Sequence, residues 1–343
     1  MFLNVFYSIV ALVALLVPGF VLRKLKMIYK VSVGSMVNIL LYVCQPALIM
    51  KAFFYIPEGI PGKPASPDPR SPDLLAGMGW TFLFSVAAGV IFFFLVKLCY
   101  LKNKKPDAAR VYTFGALFGN VGFIGIPFIE SVLKGQPSLP CALIYAAVFN
   151  VSFNVLVWTL GVYVITGDIK TMRPAKAVLN PSVSVLIVAL PLFFLQVHLE
   201  AVFSPAVRIL TLLGEMTAPL SMFIVGIRLA DLKFREIFSD RNAYLCSGLK
   251  LVATPLAMFL FLWPFRALGV FGAPGSDFYE NFGRAAILVL LALSALPSAA
   301  STIAFCEKYE GDYNSAVKGF MNSTLLSVAA VPLVLTLLFF LLP

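Results

Sequence analysis

Long apolar runs, separated by short polar stretches, recur along the whole sequence. The ten runs fall at residues 4–22, 32–54, 74–98, 110–133, 139–166, 181–197, 205–229, 243–265, 284–306 and 313–342. A helix needs about 20 predominantly apolar residues to cross the hydrocarbon core of a bilayer. The pattern therefore predicts an all-α polytopic membrane protein with ten transmembrane helices, whose constant partner is the lipid bilayer.

The composition excludes a water-soluble globular enzyme. Hydrophobic residues make up 60% of the chain and charged residues 12%, which is about half the charged fraction of a soluble domain. The single histidine, His198, and five scattered cysteines form no metal-binding pattern and no Ser-His-Asp triad. The sequence therefore predicts no catalytic activity, no metal and no cofactor.

The net charge of +10 reflects the topology of the chain, not binding to nucleic acid. Nineteen of the 26 Lys and Arg residues lie in or beside the connections after the odd-numbered runs, Lys250 among them. Cytoplasmic connections carry the excess of basic residues. We therefore expect both termini on the extracytoplasmic side of the plasma or bacterial inner membrane. The first charges follow the first run, which predicts a retained span, not a cleaved signal peptide.

The connections between the runs are short. The longest, residues 57–73, is rich in proline and nearly charge-balanced, which predicts an extended external linker. None is long enough for a soluble domain, so the function is expected to reside in the spans.

Prolines inside the runs recur at a spacing of about 170 residues. The matched pairs are Pro18 and Pro191, 173 residues apart, Pro46 and Pro219, 173 apart, Pro127 and Pro297, 170 apart, and Asn150 and Asn322, 172 apart. Each half holds five spans, an odd number, so the second half would enter the membrane from the opposite side. We predict two inverted five-helix repeats, residues 1–166 and 181–343, joined by a cytoplasmic linker at 167–180.

Pro127 and Pro297 each follow a glycine-rich or polar stretch within a run. Proline lacks an N–H donor and clashes with the preceding helical turn, while Gly122 and Gly125 lower the cost of leaving helical geometry. Non-helical backbone at membrane depth is tolerated only inside protein or beside a water-filled cavity. We therefore predict that helices four and nine are broken and cross at a midplane substrate site.

Asn120 is the leading candidate for a substrate contact. It lies ten residues after Arg110, about 15 Å along a helix, and directly precedes the glycine-rich segment. Its amide could orient a carboxylate without an ionic penalty. The alternative is an interhelical hydrogen bond.

Other candidates for the substrate site are small or polar residues near the predicted crossing. They are Gln45, Gly122, Gly125, Pro127, Ser294, Pro297, Ser298, Ser301, Asn150 and Asn322. For the serines and asparagines, close helix packing and interhelical hydrogen bonds are the alternative roles.

Glu215 is the one acidic residue near the middle of a run. A carboxylate buried in a membrane is costly when charged, which suits a proton-coupling site. Arg208, seven residues earlier on the same helical face, could instead form a structural ion pair with it. The sequence leaves both roles open.

Two motifs resemble those of the auxin efflux carrier family, which includes plant PIN-formed carriers and bacterial malate and malonate carriers. The first is Gly119-Asn120 followed by Gly125-Ile126-Pro127, and the second is ALPSAASTIAFCEKYEGD at 295–312. Weaker matches are YVCQPALIM in the second run and APLSMFIVGIRL in the seventh. The likeness covers nearly the whole chain in order and spacing, so the protein resembles a compact, bacterial-type member.

The resemblance implies a scaffold of spans one, two, six and seven, a transport domain of the remaining spans, and an elevator-like motion. It also implies a secondary transporter of small organic anions, with Asn120 as a substrate contact and Pro127 and Pro297 as the crossing prolines. Two features depart from the family. The large cytoplasmic loop of the long plant carriers is absent, and Glu215 is not expected at its position.

Three other functions remain open alternatives at this level. A sodium-coupled bile-acid-type symporter shares the five-plus-five architecture, but no acidic residue adjoins Pro127 or Pro297 to coordinate the ion. A sensor of the same fold would not transport. A lipid-modifying enzyme would need paired acids or histidines at the membrane interface, and the cluster Glu307, Glu310 and Asp312 is better explained as a solvated turn. The substrate, proton or sodium coupling, and assembly as a homodimer are likewise left open.

Overall fold

The computed structural model describes residues 2–29, 32–54, 71–101, 105–172, 174–195, 199–231 and 238–342. Most of the predicted external linker, 57–70, lies outside the described residues, as does His198. So do several of the basic residues used to orient the chain, namely Lys30, Lys102, Lys104, Arg173, Lys233 and Arg235.

Helices account for nearly all of the described chain. They are α1 (Phe2–Ala14), α2 (Leu16–Lys24), α3 (Ser32–Ile39), α4 (Gln45–Phe53), α5 (Pro72–Tyr100), α6 (Pro106–Leu117), α7 (Ile126–Val132), α8 (Leu139–Leu156), α9 (Val162–Thr166), α10 (Pro174–Val178), α11 (Pro181–Ser184), α12 (Leu186–Phe194), α13 (Leu199–Glu215), α14 (Thr217–Ala230), α15 (Arg241–Gly248), α16 (Thr254–Ala267), α17 (Arg284–Ser294), α18 (Ser301–Lys308) and α19 (Tyr313–Phe340). Five-residue π-helical turns lie at Leu40–Cys44, Val121–Gly125, Val157–Gly161, Leu249–Ala253 and Tyr279–Gly283.

Seven helical stretches among the described residues are long and apolar enough to cross a membrane. They are Val5–Lys24, Ser32–Phe53, Pro72–Tyr100, Leu139–Thr166, Pro205–Ala230, Arg241–Ala267 and Tyr313–Phe340. A pair bent by 56°, Ile169–Ser184 and Leu186–Phe194, gives an eighth if it forms one span. The predicted all-α polytopic fold is thus confirmed, whereas the count of ten, which also needs the broken helices, stays a prediction.

Two predicted spans are interrupted helices. The first consists of α6 and α7, separated by Phe118 to Gly125, and the second of α17 and α18, separated by Ala295 to Ala300. Pro127 lies in the first turn of α7, where its missing N–H removes no helical hydrogen bond. The structure therefore has the interruptions where the proline and glycine pattern predicts them.

The centre of the molecule is formed by α17 and α8. Every residue of α17 from Ala285 to Ser294 is buried, and most of α8 is buried as well. A helix that is apolar all round packs inside protein, because no face of it needs water. The first half of the second broken helix is thus surrounded by other helices.

Close packing between α2 and α14 depends on two glycines. A methyl group at Gly19 would overlap the carbonyl oxygen of Phe223, and one at Gly226 would overlap that of Leu16. Small residues at such positions let membrane helices approach backbone to backbone. This contact joins the first predicted span to the seventh.

The predicted cytoplasmic linker, residues 167–180, is partly helical. It contains a 3-10 turn at Ile169–Thr171 and the short helix α10. Asn180 caps the following helix, because its side-chain oxygen accepts a hydrogen bond from the Ser182 N–H.

Candidate functional site

The two broken helices pair through their backbones at the interruption. The Asn120 N–H donates to the Pro297 carbonyl at 2.8 Å, and the Ala299 N–H donates to the Phe118 carbonyl at 2.8 Å. Gly119 and Ser298 consequently face each other in an isolated antiparallel bridge. The non-helical segments thus satisfy part of each other's hydrogen bonding, as backbone away from water must.

Side chains from neighbouring spans bind further backbone groups freed by the interruptions. Gln45 Nε2 donates to the Gly122 carbonyl at 2.9 Å, and the Ser298 N–H donates to Ser323 Oγ at 3.1 Å. Lys250 Nζ donates to the Ser294 carbonyl at 3.0 Å. The crossing is therefore held by three different spans besides its own.

Lys250 is the main functional candidate that the sequence-based reasoning missed. Counting it with the cytoplasmic connections was wrong, because it lies in a π-helical turn inside the span Arg241–Ala267 and is 2% exposed. A methyl group at Gly119 would lie 3.1 Å from its Nζ, so its amino group adjoins the crossing. A signal was present in the sequence: an ionisable residue inside a span points to function by default.

A cavity of about 360 Å³ adjoins the crossing. It extends from Asn120, which is 3% exposed, to exposed residues such as Asn38 and Glu307. Of the predicted site residues, it is lined by Gln45, Asn120, Gly122 and Ser301. The structure therefore brings four of them together around one space.

The remaining predicted residues occupy other positions. Pro297 lines a much smaller cavity of about 10 Å³ that it shares with Asn120. Six other predicted residues, all of them described, do not line the larger cavity: Gly125, Pro127, Ser294, Ser298, Asn150 and Asn322. Their assignment to substrate binding stays a prediction.

The two repeat-related asparagines make different contacts. Asn154 Nδ2 donates to the Asn150 carbonyl at 2.8 Å and to Asn150 Oδ1 at 3.1 Å, and Asn180 Nδ2 donates to Asn154 Oδ1 at 2.8 Å. Asn154 and Asn180 line the cavity, although the sequence-based reasoning did not select them. Asn322 Oδ1 instead accepts from Ser247 Oγ at 2.6 Å, which is an interhelical hydrogen bond.

The cavity also has charged and aromatic walls. Arg228 lines it and pairs with Glu307, with 3.2 Å between Nη1 and Oε1. Trp158 lines it too, and Lys308 Nζ lies 5.0 Å from the centre of its ring. Lys176 Nζ lies 6.0 Å from the same ring. An arginine and several aromatic rings therefore line the cavity, and two lysines lie beside the Trp158 ring.

Glu215 differs from its sequence-based description. Its side chain is 57% exposed at the protein surface, and its carboxylate pairs with Lys51 at 3.1 Å. Its partner is thus Lys51 and not Arg208, which the sequence suggested as the alternative. Lys51 lies near the end of α4, whereas Glu215 lies near the middle of the span Pro205–Ala230.

The cavity and Lys51 lie towards opposite sides of the molecule. The cavity reaches the start of α3, the end of α14 and the end of α18, which is the side of the connections predicted to be cytoplasmic. Lys51, near the end of the span Ser32–Phe53, and Glu130, near the end of α7, lie towards the other side. The cavity therefore connects Asn120 with the predicted cytoplasmic side.

A chain of apolar helices with a paired backbone crossing beside a cavity has the architecture of a membrane transporter. A family model described as membrane transport protein (Mem_trans) matches residues 165–335. The chain therefore belongs to this family, the auxin efflux carrier family, as its motifs indicate. No curated protein matches the sequence.

Proposed function

We propose that this transporter moves a small organic anion by alternating access around the crossing of its broken helices. The substrate is a mono- or dicarboxylate or an auxin-like acid. The observation that carries the proposal is that Asn120, buried at the crossing, lies at the inner end of the cavity. An amide at that point can bind a carboxylate by hydrogen bonds without adding a charge.

Three backbone N–H groups at the interruptions are already hydrogen-bonded and so are not available to the anion. The N–H groups of Asn120, Ser298 and Ala299 already bind protein oxygens. The N-terminus of α18, where Ser301 lines the cavity, supplies the positive end of a helix dipole instead. Ser301 Oγ is buried and has no hydrogen-bond partner among the described residues, so rotation of its side chain towards the cavity would let it bind the substrate.

The proposed motion divides the chain into two bodies. Helices α1 to α4 and α11 to α14 form the scaffold, and the remaining helices form the transport domain, which slides as an elevator. The matched prolines and the antiparallel pairing at Gly119 and Ser298 support two inverted repeats, 1–166 and 181–343, joined by the linker 167–180. With both termini outside the plasma membrane, the cavity faces the cytoplasm.

The central experiment is the replacement Asn120→Ala in protein reconstituted in vesicles. Carboxylate uptake is expected to fall, while the thermal unfolding of the purified protein stays near that of the wild type. Asn314→Ala is the matched control, because Asn314 is exposed at the start of α19. Unchanged uptake by the Asn120 variant would remove the site assignment.

Coupling of transport to an ion has two candidate forms. A proton-coupling role for Glu215 predicts that Glu215→Gln changes the pH dependence of uptake, and identical pH profiles would remove it. A sodium-coupled symporter is disfavoured because, among the described residues, the acid that lines the cavity is Glu307, which already pairs with Arg228. A sensor of the same fold would show no flux through the purified protein.

A further inference from the structure

Lys51 lies between two carboxylates on the side of the molecule away from the cavity. Its Nζ is 3.1 Å from Glu130 Oε1 and 3.1 Å from Glu215 Oε1, and its side chain is 10% exposed. Glu130 Oε2 lies 3.4 Å from the same nitrogen. One nearly buried ammonium is thus shared by two acids that are 85 residues apart in the sequence.

The two acids belong to different parts of the fold. Glu215 ends α13, which packs closely on α4, since a methyl group at Gly214 would lie 3.0 Å from Leu48 Cα. Lys51 and Glu215 therefore belong to one closely packed pair of helices. Glu130 lies in α7, the second half of the first broken helix.

A second contact joins α7 to another helix, α1. Ser8 Oγ, in α1, is 2.6 Å from Ser131 Oγ, next to Glu130. The end of α7 is thus held by a hydrogen bond from α1 and an ion pair from α4. Both α1 and α4 are helices of the proposed scaffold.

We propose that Lys51 is an ionic gate that closes the extracytoplasmic side of the transporter and changes partners during the cycle. This inference rests on the proposed alternating access. In the closed state Lys51 holds Glu130 of the transport domain against the scaffold. When that side opens, Lys51 releases Glu130 and remains paired with Glu215.

The shared ammonium explains why two carboxylates are present. A charge held away from water is destabilising when its partner is removed. If Glu130 were its one partner, opening would leave the Lys51 ammonium uncompensated. Glu215 keeps it neutralised, so it lowers the free energy of the open state relative to the closed state.

The two carboxylates therefore act in opposite directions. Glu130→Gln weakens the contact that exists in the closed state alone, so it shifts the protein towards the outward-open state. Glu215→Gln leaves Lys51 without a carboxylate when the gate opens, so it shifts the protein towards the closed state. Two acids that merely stabilised the fold would not have effects of opposite sign.

A cysteine reporter can follow the opening. Ser327 is 1% exposed and lines the small cavity beside Asn120 and Ile9. Ile9 adjoins Ser8, whose partner Ser131 is next to Glu130, so this cavity is on the gate side of the crossing. Ser327→Cys is introduced with Cys99→Ser, which removes the exposed native cysteine among the described residues. The same chain without Ser327→Cys corrects for background.

The experiment measures the labelling rate of Ser327→Cys by a membrane-impermeant maleimide on the extracytoplasmic side of vesicles. Glu130→Gln is expected to label about fivefold faster, equal to about 1 kcal/mol, and Glu215→Gln more slowly than the parent. Glu280→Gln is the control, because Glu280 pairs with Arg284, four residues later at the start of the adjoining helix α17, and so does not link two distant elements. If Glu130→Gln does not fold, Glu130→Asp, whose shorter side chain weakens the contact with Lys51, should label faster than the parent.

Labelling changes of the same sign in both variants, or none in either, would overturn the gate. Carboxylate flux is measured in the same vesicles, so the two proposals can fail separately. Flux that depends on Asn120 with unchanged labelling removes the gate alone. Opposite labelling shifts without any carboxylate flux keep the gate and remove the proposed substrate class.

Discussion

Gln45 donates a hydrogen bond of 2.9 Å from Nε2 to the carbonyl oxygen of Gly122. Gln45 begins α4, which belongs to the proposed scaffold. Gly122 lies in the interrupted part of the first broken helix, which belongs to the proposed transport domain. Gln45 is 3% exposed and lines the cavity. This bond therefore lies beside the proposed substrate site and joins the proposed scaffold to the proposed transport domain.

Replacing Gln45 with Met is expected to destabilise the protein and reduce transport. Met has a similar length but no donor, so the Gly122 carbonyl loses its partner, at a cost of about 1–3 kcal/mol. Thermal unfolding in detergent and uptake in vesicles measure the two effects. Gln136→Met, in the partly exposed turn after α7, is the control and should change neither.

Gly119→Ala is expected to impair transport more than Gly248→Ala, although both glycines are close to Lys250. The added methyl at Gly119 would lie 3.1 Å from Lys250 Nζ and 3.3 Å from the Leu296 carbonyl, so the crossing has to shift. At Gly248 the added methyl would meet no heavy atom within 4 Å apart from its own helix backbone, and alanine there should stabilise the helix by up to about 1 kcal/mol. Equal uptake by the two variants would contradict a tightly packed crossing.

The interruptions of the broken helices could be predicted because their causes are local. Pro127 acts on its own helix, and Gly122 and Gly125 ease the departure from helical geometry within a few residues. The apolar runs likewise give the helices, because crossing a bilayer requires a minimum apolar length. Pairing of Asn120 with Pro297 follows only if both interruptions are at the same depth, which the 170-residue spacing suggests.

The charged partners could not be predicted, because they are distant in the sequence. Glu215 meets Lys51, which is 164 residues away, and no periodicity relates the two. Lys250 was assigned to a connection by its closeness to basic residues, whereas helix α15 begins at Arg241 and carries it well into the span. Depth in the membrane depends on where a helix starts, and pattern analysis locates that only within a few residues.

Lys250→Met is expected to reduce uptake by about tenfold, equal to about 1.4 kcal/mol, without abolishing folding. The substitution keeps the length of the side chain but leaves the Ser294 carbonyl without its donor, so the second broken helix loses an anchor. Lys170→Met, in an exposed connection, is the control.

Transport by the wild type is expected to be independent of sodium. Among the described residues, the acid that lines the cavity is Glu307, and it already pairs with Arg228, so the cavity offers a sodium ion no unpaired carboxylate. Uptake measured with sodium replaced by choline should therefore match uptake in sodium. A strict requirement for sodium would revive the symporter alternative.

Arg228→Gln is expected to raise the KM for the anion roughly fivefold, for a loss of about 1 kcal/mol. The guanidinium lines the cavity near its mouth and is partly shielded from water, with 18% of its side chain exposed. Its loss lowers the positive potential along the path of an incoming anion. The difference from the wild type should shrink as ionic strength rises, because salt screens such attraction.

The matched control for Arg228 is Arg23→Gln. Arg23 has a similar exposure, 22%, and pairs with Asp231 at 2.7 Å on the same side of the molecule, but it does not line the cavity. Both changes remove one positive charge from that side, so a general effect of net charge would raise the KM equally. A larger KM for Arg228→Gln alone would therefore assign the effect to the cavity, and equal values would contradict it.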